Sequence, residues 1–421
     1  MKVGIIGSGG REHAICEAIK QSNKTSEIYC IPGNAGTNSI AKNIELNIED
    51  FDELKNFVKK NEIDIVIVGP EKPLVDGIVD FFEKNNIKVF GPNKIASQLE
   101  GSKIFTKELC KEFNIPTANF GVFNDKKKSL EFLDKCKYPI VVKADGLAAG
   151  KGVYICETKK QSKQAVDEIF GGKFGKTDKV LFEEFLSGEE MSFFIISDGE
   201  NYKKFGTAQD HKRVLEGDKG LNTGGMGAYS PSRLENEILN KKIIDKIIEP
   251  TLNALKKIQS NFKGFLYAGL MIIENEPYLI EYNVRMGDPE CQTILPRLKT
   301  DFLEVIESCV NNNLDSLNIE WDDEKSLCVV LCSKGYPEKY ENNIELKNLN
   351  QINLNGNEFI FHAGTKIINS KIVSNGGRVL NFVVKSNSFE NSRNSAHKLI
   401  SKTNWSNGYF RKDIGFKVIK S

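Results

Sequence analysis

Glu281-Tyr282-Asn283-Val284-Arg285, running into Met286-Gly287-Asp288-Pro289-Glu290, is the stretch on which the reading of this chain turns. Apolar Tyr282 and Val284 alternate with polar neighbours, which is strand patterning, and side chains two apart on a strand share a face. Glu281, Asn283 and Arg285 therefore stand together. A carboxylate beside an amide oxygen is a hard donor pair of the kind that holds Mg2+ along with waters and phosphate oxygens. A neighbouring guanidinium can clamp a carboxylate or phosphate. A polar, solvent-facing strand would give the same alternation, but the two further carboxylates of the 287–290 turn favour chemistry. Residues 266–273 and 278–283 read as paired strands joined through Glu274-Asn275-Glu276-Pro277.

Upstream, Val141-Val142-Lys143 ends an apolar strand, and Asp145-Gly146-Leu147-Ala148-Ala149-Gly150-Lys151-Gly152 follows. A lysine in that position can reach a nucleotide phosphate, and a glycine-rich hairpin lets backbone amides close over it. The run is no Walker A loop, because Gly152 follows Lys151 where Ser or Thr is needed. A plain surface hairpin is the alternative. Glu183-Glu184-Phe185-Leu186 next offers a carboxylate for an adenine amino group, and Glu189-Glu190 lies near enough for ribose hydroxyls. Residues 205–230, dense in Gly, Asn, Asp and His, are expected to form a long functional loop or lid and no core.

At the N-terminus a short apolar run ends in Gly7-Ser8-Gly9-Gly10, which could aim N–H groups at a phosphate from a helix N-terminus. The dinucleotide fingerprint fails there: Glu12 holds its sixth position, and Pro32-Gly33-Asn34 replaces the ribose-binding acid. Another phosphorylated small molecule fits better. Strands at 28–31, 63–68 and 88–90 alternate with helices at 51–60 and 74–84, so the first hundred residues read as a parallel sheet covered on both faces. Its ligands belong at the carboxyl ends of the strands. At the other end, strands at 326–332, 358–367 and 378–385 and a helix at 388–402 make a small α+β unit. Asn375-Gly376-Gly377 reads as the hairpin between the last two strands.

The 421 residues leave room for two to four domains of ~150 each. Lys+Arg 58 against Asp+Glu 57, net +1, gives no general attraction for nucleic acid or anionic lipid. Nine cysteines without a CxxC fit reduced, buried thiols. Four histidines at 13, 211, 362 and 397 lack zinc spacing. No apolar stretch approaches the ~18 residues needed to span a bilayer. A soluble, cytoplasmic protein with neither nucleic-acid nor membrane partners is expected.

Taken together, the apolar strand with its lysine, the glycine-rich hairpin, the Glu-Glu-x-Leu linker and the Glu-x-Asn-x-Arg strand resemble the ATP-grasp carboxylate–amine ligases. More narrowly, the chain resembles the phosphoribosylamine–glycine ligase family. Gly7-Ser8-Gly9-Gly10-Arg11-Glu12-His13-Ala14, Pro32-Gly33-Asn34-Ala35-Gly36-Thr37, Val68-Gly69-Pro70-Glu71 and Leu99-Glu100-Gly101-Ser102-Lys103 match it. So do Lys143 to Val153, Gln209-Asp210-His211-Lys212-Arg213, Asn222-Thr223-Gly224-Gly225-Met226-Gly227, Gly287-Asp288-Pro289-Glu290, His362-Ala363-Gly364-Thr365 and Gly376-Gly377-Arg378-Val379-Leu380. Met286 departs from the pattern where the family usually has an aromatic residue. The strand before Glu281, Ala268-Gly269-Leu270-Met271, lacks the second metal carboxylate of many ATP-grasp enzymes, a lack this family shares.

The resemblance implies a multidomain α/β and α+β protein. It would have a biotin-carboxylase-like parallel-sheet domain at 1–101, an ATP-grasp region at 102–325 with residues 120–190 as the ATP-covering lid, and an α+β domain at 326–421. It implies a monofunctional enzyme, expected to be monomeric, that uses ATP and Mg2+ (or Mn2+) to join glycine to 5-phosphoribosylamine through a glycyl phosphate. By the same resemblance, Lys103, Lys143, Gly150, Gly152, Glu183, Leu186 and Glu190 would bind ATP, and Glu281 and Asn283 the metal. Arg285, Asp210 and Lys143 would be catalytic. Gly9, Gly10, Asn34, Gly36, Thr37 and Glu71 would form the phosphoribosylamine pocket, while Asp210, Gly224, Gly225, Arg285 and Asp288 would surround glycine. The rivals are an ATP-grasp enzyme activating formate or bicarbonate, a nicotinamide oxidoreductase, and an inactive nucleotide-binding scaffold.

Overall fold

The parallel sheet runs Lys42–Asn43, Glu27–Pro32, Lys2–Gly7, Ile65–Val68, Val89–Phe90 in a computed structural model that describes residues 1–147, 152–175 and 179–419. The chain winds outward from the central strand Lys2–Gly7 in one direction, then returns to build the other side, which opens a crevice at the strands' carboxyl ends. Both faces are buried, which is why these strands are apolar throughout. Val3, Ile5, Ile28 and Cys30 enter one core, and Ile6, Ile31, Val66 and Val68 another. The helix expected over 74–84 is two helices, Glu71–Asp76 and Ile78–Lys84, parted at Gly77, whose φ of 99° suits glycine.

A four-stranded antiparallel sheet follows, in the order Phe120–Phe123, Val180–Glu184, Ile140–Ala144, Val153–Cys156. Helices Lys126–Leu133 and Lys159–Phe170 cover it, and Val142, Ala165, Ile169 and Phe182 belong to a core of its own. It meets the body where Leu279 N–H donates to the Pro116 carbonyl at 2.8 Å and Lys107 reaches Glu183.

The largest sheet is antiparallel and runs Glu276–Asn283, Lys263–Ile273, Glu189–Asp198, Tyr202–Asp210, Gly227–Ser230, Lys325–Ser333, Arg378–Ser386, Glu358–His362. The tail strands thus extend the central sheet, Ser326 pairing with Ser230 and Val329 with Gly227. Residues 205–230 overturn the expectation of a coreless loop. Two of their segments are central strands, and Phe205, Met226 and Tyr229 are fully buried. The polar residues that suggested a loop satisfy one another: Gln209 Oε1 accepts from Tyr229 Oη at 2.7 Å, Ser232 Oγ at 3.0 Å and Arg233 N–H at 3.2 Å. The hairpin of Arg213–Leu215 and Lys219–Asn222 lies outside the large sheet.

Asn375-Gly376-Gly377 is no simple hairpin between neighbouring strands. A separate hairpin, Thr365–Ile368 with Lys371–Ser374, turns at Asn369 and Ser370, both at positive φ, and Arg378–Ser386 then returns to pair with Glu358–His362. All nine cysteines are free thiols, eight of them buried and Cys136 half-buried. No helix among the described residues is long and apolar enough to cross a membrane.

Candidate functional site

Three elements converge where the four-stranded sheet faces the large one. Strand Ile140–Ala144 carries Lys143, whose Nζ lies 2.8 Å from Glu183 Oε1 on the paired strand. The other Glu183 oxygen is 3.1 Å from Lys107 Nζ, and all three side chains are buried. Lys107 also donates to Thr117 Oγ1 at 2.5 Å. Burial draws its pKa down, against the opposing pull of Glu183. The Glu183 carboxylate, expected to face an adenine amino group, lies against two ammoniums. Its Oε1 makes no hydrogen bond among the described residues and so keeps acceptor capacity. Leu186, half-buried just beyond strand Val180–Glu184, stays at the edge of this cleft.

Lys103 opens helix Lys103–Glu112, with Ser102 as the N-cap that accepts from Phe105 N–H. Its Nζ donates to the Gly146 carbonyl at 2.8 Å, at the start of the glycine-rich run. Gly146 has a φ of 90°, and a Cβ there would meet nothing within 4 Å, so this limb borders open space. The Gly152 carbonyl accepts from Ala144 N–H at 2.9 Å. Gly150, with residues 148–151, lies outside the described residues.

Glu281 and Asn283 do share a face. Strand Glu276–Asn283 pairs with Lys263–Ile273 across a bulge, Leu279 opposite Leu270 and Glu281 opposite Gly269, so Ile280 is the extra residue. Lys212 Nζ stands 3.6 Å from Glu281 and 3.2 Å from Glu190, which lies on strand Glu189–Asp198, one strand removed. Burial alone would raise the Glu281 pKa; Lys212, Lys143 and Lys103 together hold it below the ordinary range. One charged carboxylate and one amide oxygen, both hard donors, fit Mg2+ that fills its remaining positions with water and phosphate oxygens. Among the described residues no group of three or more His, Cys, Asp or Glu is arranged to hold a metal unaided.

Past the strand end Arg285 donates to Glu100 at 2.6 Å and Glu71 at 3.2 Å. Arg285 holds the Glu71 carboxyl down to about 2. Burial pushes Glu100 up to about 7, with Arg285 opposing and Glu71 adding to the rise. Arg285 is therefore a link between the two domains, with both carboxylates as partners.

Asp210 ends strand Tyr202–Asp210 with Oδ1 buried and no hydrogen-bond partner among the described residues. Burial first, then the charge of Glu290, push its pKa well up. Gly225 lies against it at φ 115°; a Cβ there would sit 2.8 Å from Asp210 Oδ1 and 2.5 Å from Pro289 Cδ. Arg378 joins this loop to the 287–290 turn, donating to the carbonyls of Gly224 and Asp288 at 2.5 Å each. Burial would raise Asp288, but Arg378 and Arg11 hold it ionised. Asp210, Gly224, Gly225 and Asp288 are thus brought together, as the sequence suggested.

In the N-terminal crevice the residues expected to line the phosphoribosylamine pocket make bonds to their own loops. Glu12 folds back over its own helix start, accepting from Gly9 N–H at 2.7 Å and Arg11 Nε at 2.6 Å. Arg11 N–H approaches Asp288 at 3.4 Å, so carboxylates occupy donors that were assigned to a phosphate. Gly10 is packed against Asn381, where a Cβ would come within 2.3 Å. Asn34 is spent on its own loop, donating to Ser8 and His362 carbonyls and accepting from Gly36 N–H at 2.8 Å. Thr37 is fully buried, its hydroxyl bridging Asn34 and Asn43. Gly36 has no room for a side chain against His13 and His362.

Lys107, Lys212, Glu290, Arg378 and Glu100 were not singled out as site residues from the sequence. Lys212, Glu290, Arg378 and Glu100 fall inside matched motifs, which was a usable signal; Lys107, one helical turn after Lys103, was marked only by that spacing.

The comparisons agree along the whole chain. Profiles of phosphoribosylglycinamide synthetase match with the N domain over residues 1–100, the ATP-grasp (A) domain over 101–291 and the C domain over 326–417. Phosphoribosylamine–glycine ligase from Caldanaerobacter subterraneus is 45% identical over 98% of this chain and 99% of its own, and that from Fusobacterium nucleatum 44% over 99% and 98%. The Thermotoga maritima ligase crystal structure superposes with a TM-score of 0.85 at 33% identity, covering 98% of this chain and 100% of that one. The biotin carboxylase domain of Hydrogenobacter thermophilus 2-oxoglutarate carboxylase, 16% identical over 97% of this chain and 91% of its own with a TM-score of 0.72, shares the fold. With every domain matched in order and relatives this similar end to end, the chain belongs to the phosphoribosylamine–glycine ligase family of ATP-grasp enzymes.

Proposed function

We propose that this chain joins the glycine carboxyl to the amine of 5-phosphoribosylamine, converting ATP to ADP and phosphate and giving glycinamide ribonucleotide. A carboxylate oxygen is a poor leaving group, so it must first be phosphorylated. A glycine oxygen attacks the γ-phosphorus while the bond to ADP breaks. The sugar amine then attacks the acyl carbon, phosphate departs with that oxygen, and the amine loses a proton. Both nucleophiles come from substrates, so the protein's work is positioning and charge neutralisation.

The observation that carries this reading is Lys212 Nζ at 3.6 Å from the half-buried carboxylate of Glu281, on which the charges of Lys143 and Lys103 also act. Three ammoniums around one carboxylate suit a polyphosphate far better than an apolar or cationic substrate. Lys103 and Lys143 would hold ATP phosphates, with Glu183 and Lys107 fixing Lys143 from behind. Gly146 and Gly152 would bound the covering hairpin, the main chain near Leu186 would meet the base, and Glu190 the ribose. Glu281 and Asn283 would hold Mg2+ or Mn2+, which when bound neutralises phosphate charge. Asp210 and Glu290 offer carboxyl oxygens to the glycine ammonium, and Gly224 and Gly225 the backbone close to it. Glu71, Arg285 and Asp288 border the crevice in which phosphoribosylamine would sit.

The test is phosphate release from Mg-ATP with glycine and phosphoribosylamine each omitted. Release that needs both, with consumption of the amine, is expected. Release driven by formate or bicarbonate in place of glycine would replace the substrate assignment, and ATP binding without any release would favour a scaffold.

A further inference from the structure

The largest fully buried side chain of the protein is a cation outside the site described above: Arg411, with a relative exposure of 0%. It lies near the C-terminal end, in a segment the substrate assignments leave unused. Its Nε and Nη2 donate to the two oxygens of Asp413, each at 2.8 Å, and its Nη1 donates to Asp218 Oδ1 and the Arg213 carbonyl, each at 2.9 Å. Around it the same segment is laced to the 211–218 limb. Tyr409 Oη donates to the Val214 carbonyl at 3.0 Å, Gly217 N–H to Asp413 at 2.8 Å and Lys412 N–H to Glu216 at 3.1 Å. Lys417 pairs with Asp218 at 2.9 Å. Gly415 N–H donates to His211 Nε2 at 3.1 Å, and the Phe416 ring packs edge-on against the imidazole.

The segment gripped in this way also carries Asp210 and Lys212. Along an extended chain neighbouring side chains point to opposite sides. His211 faces the C-terminal segment, whereas Lys212 reaches Glu190 and Glu281, and Asp210 lies against Gly225. Lys212 is therefore anchored on either side in sequence, through the imidazole before it and the Arg213 carbonyl after it. Its own carbonyl accepts from Thr223 N–H and Oγ1, each at 2.8 Å, which ties in the loop of Gly224 and Gly225.

We infer that Arg411 is a positioning residue for the ligase reaction, locking the C-terminal segment onto the 211–218 limb so that Asp210 and Lys212 meet glycine and the ATP phosphates in fixed register. The inference rests on the function proposed above. A lysine could not replace it fully, because a single ammonium cannot bond Asp413 bidentately while also reaching Asp218 and the Arg213 carbonyl.

The experiment compares wild type, Arg411→Lys and Asp413→Asn in the phosphate-release assay, varying glycine, ATP and phosphoribosylamine separately, with thermal melts of each protein. Both variants keep charge or shape at the buried site, and either one that folds suffices. The expected result is a kcat/KM for glycine lowered about tenfold or more, with KM for phosphoribosylamine unchanged and a cooperative melt retained. Wild-type kinetics in a folded variant would overturn the inference, as would an equal rise in KM for all three substrates alongside a lowered melting temperature, which marks general loosening. Wild-type protein that turns over without needing glycine would instead overturn the underlying function.

Discussion

Glu281 is the charge on which three lysines proposed to face ATP and its phosphates balance. Lys103, Lys143 and Lys212 all act on it, and without its carboxylate they would repel one another across a half-buried space. For Glu281→Ala we expect glycine-dependent phosphate release to fall about 100-fold or more, the scale seen when a preorganised electrostatic group is removed. Far-UV circular dichroism should stay that of the wild type; near-normal turnover would remove Glu281 from the phosphate and metal site. Alternation alone put Glu281 and Asn283 on one face, whereas Lys212 could not be read that way. Its partners lie on strands Glu189–Asp198 and Glu276–Asn283, distant in sequence. Glu12 teaches the converse. Read as a missing glycine, it is the carboxylate that caps its own helix, and a Cβ on Gly69 would sit 2.1 Å from its Oε1.

At the scale of elements, the loop between Lys212 and strand Gly227–Ser230 depends on Gly225. Its φ of 115° is one that L side chains rarely adopt, and the space a Cβ needs is taken by Pro289 and Asp210. Gly225→Ala should destabilise the protein by about 1–3 kcal/mol from backbone strain. It should also displace Asp210, so kcat/KM for glycine should fall more than that for ATP. Equal losses for both substrates would separate this loop from glycine. The motif Asn222-Thr223-Gly224-Gly225 was visible in the sequence, but its surroundings were not. A run of polar and glycine residues reads as a loop until partners such as Tyr229 and Ser232 are seen to satisfy Gln209 inside the sheet.

For the whole molecule, buried neutral histidines set the response to acid. Burial lowers His362 and His211 to about 4, and His13 lies well below its ordinary value. His13 Nδ1 accepts from His362 N–H at 2.8 Å, a bond that joins the N-terminal domain to the tail and needs an unprotonated nitrogen. Because the folded pKa values lie below the unfolded ~6.5, the stability is complete above that value. It is lost as pH falls towards 4. Each such group contributes about 2 kcal/mol of loss between pH 7 and pH 5. Urea midpoints should therefore drop over that interval, and His362→Gln should flatten the drop; an unchanged slope would show that His362 titrates alike in both states.

The sequence by itself determined the parallel N-terminal sheet, the hairpin of Lys263–Ile273 and Glu276–Asn283, and the pairing of Glu281 with Asn283. Those are local matters of periodicity and turn chemistry, written in neighbouring residues. Only the tertiary structure decided that Glu183 serves Lys107 and Lys143, that Arg285 turns to Glu71 and Glu100, and that Arg411 grips the limb carrying Lys212. A buried charge must find its counter-charge wherever the fold brings one. The partner is then set by the packing of distant segments, and spacing along the chain carries no record of it.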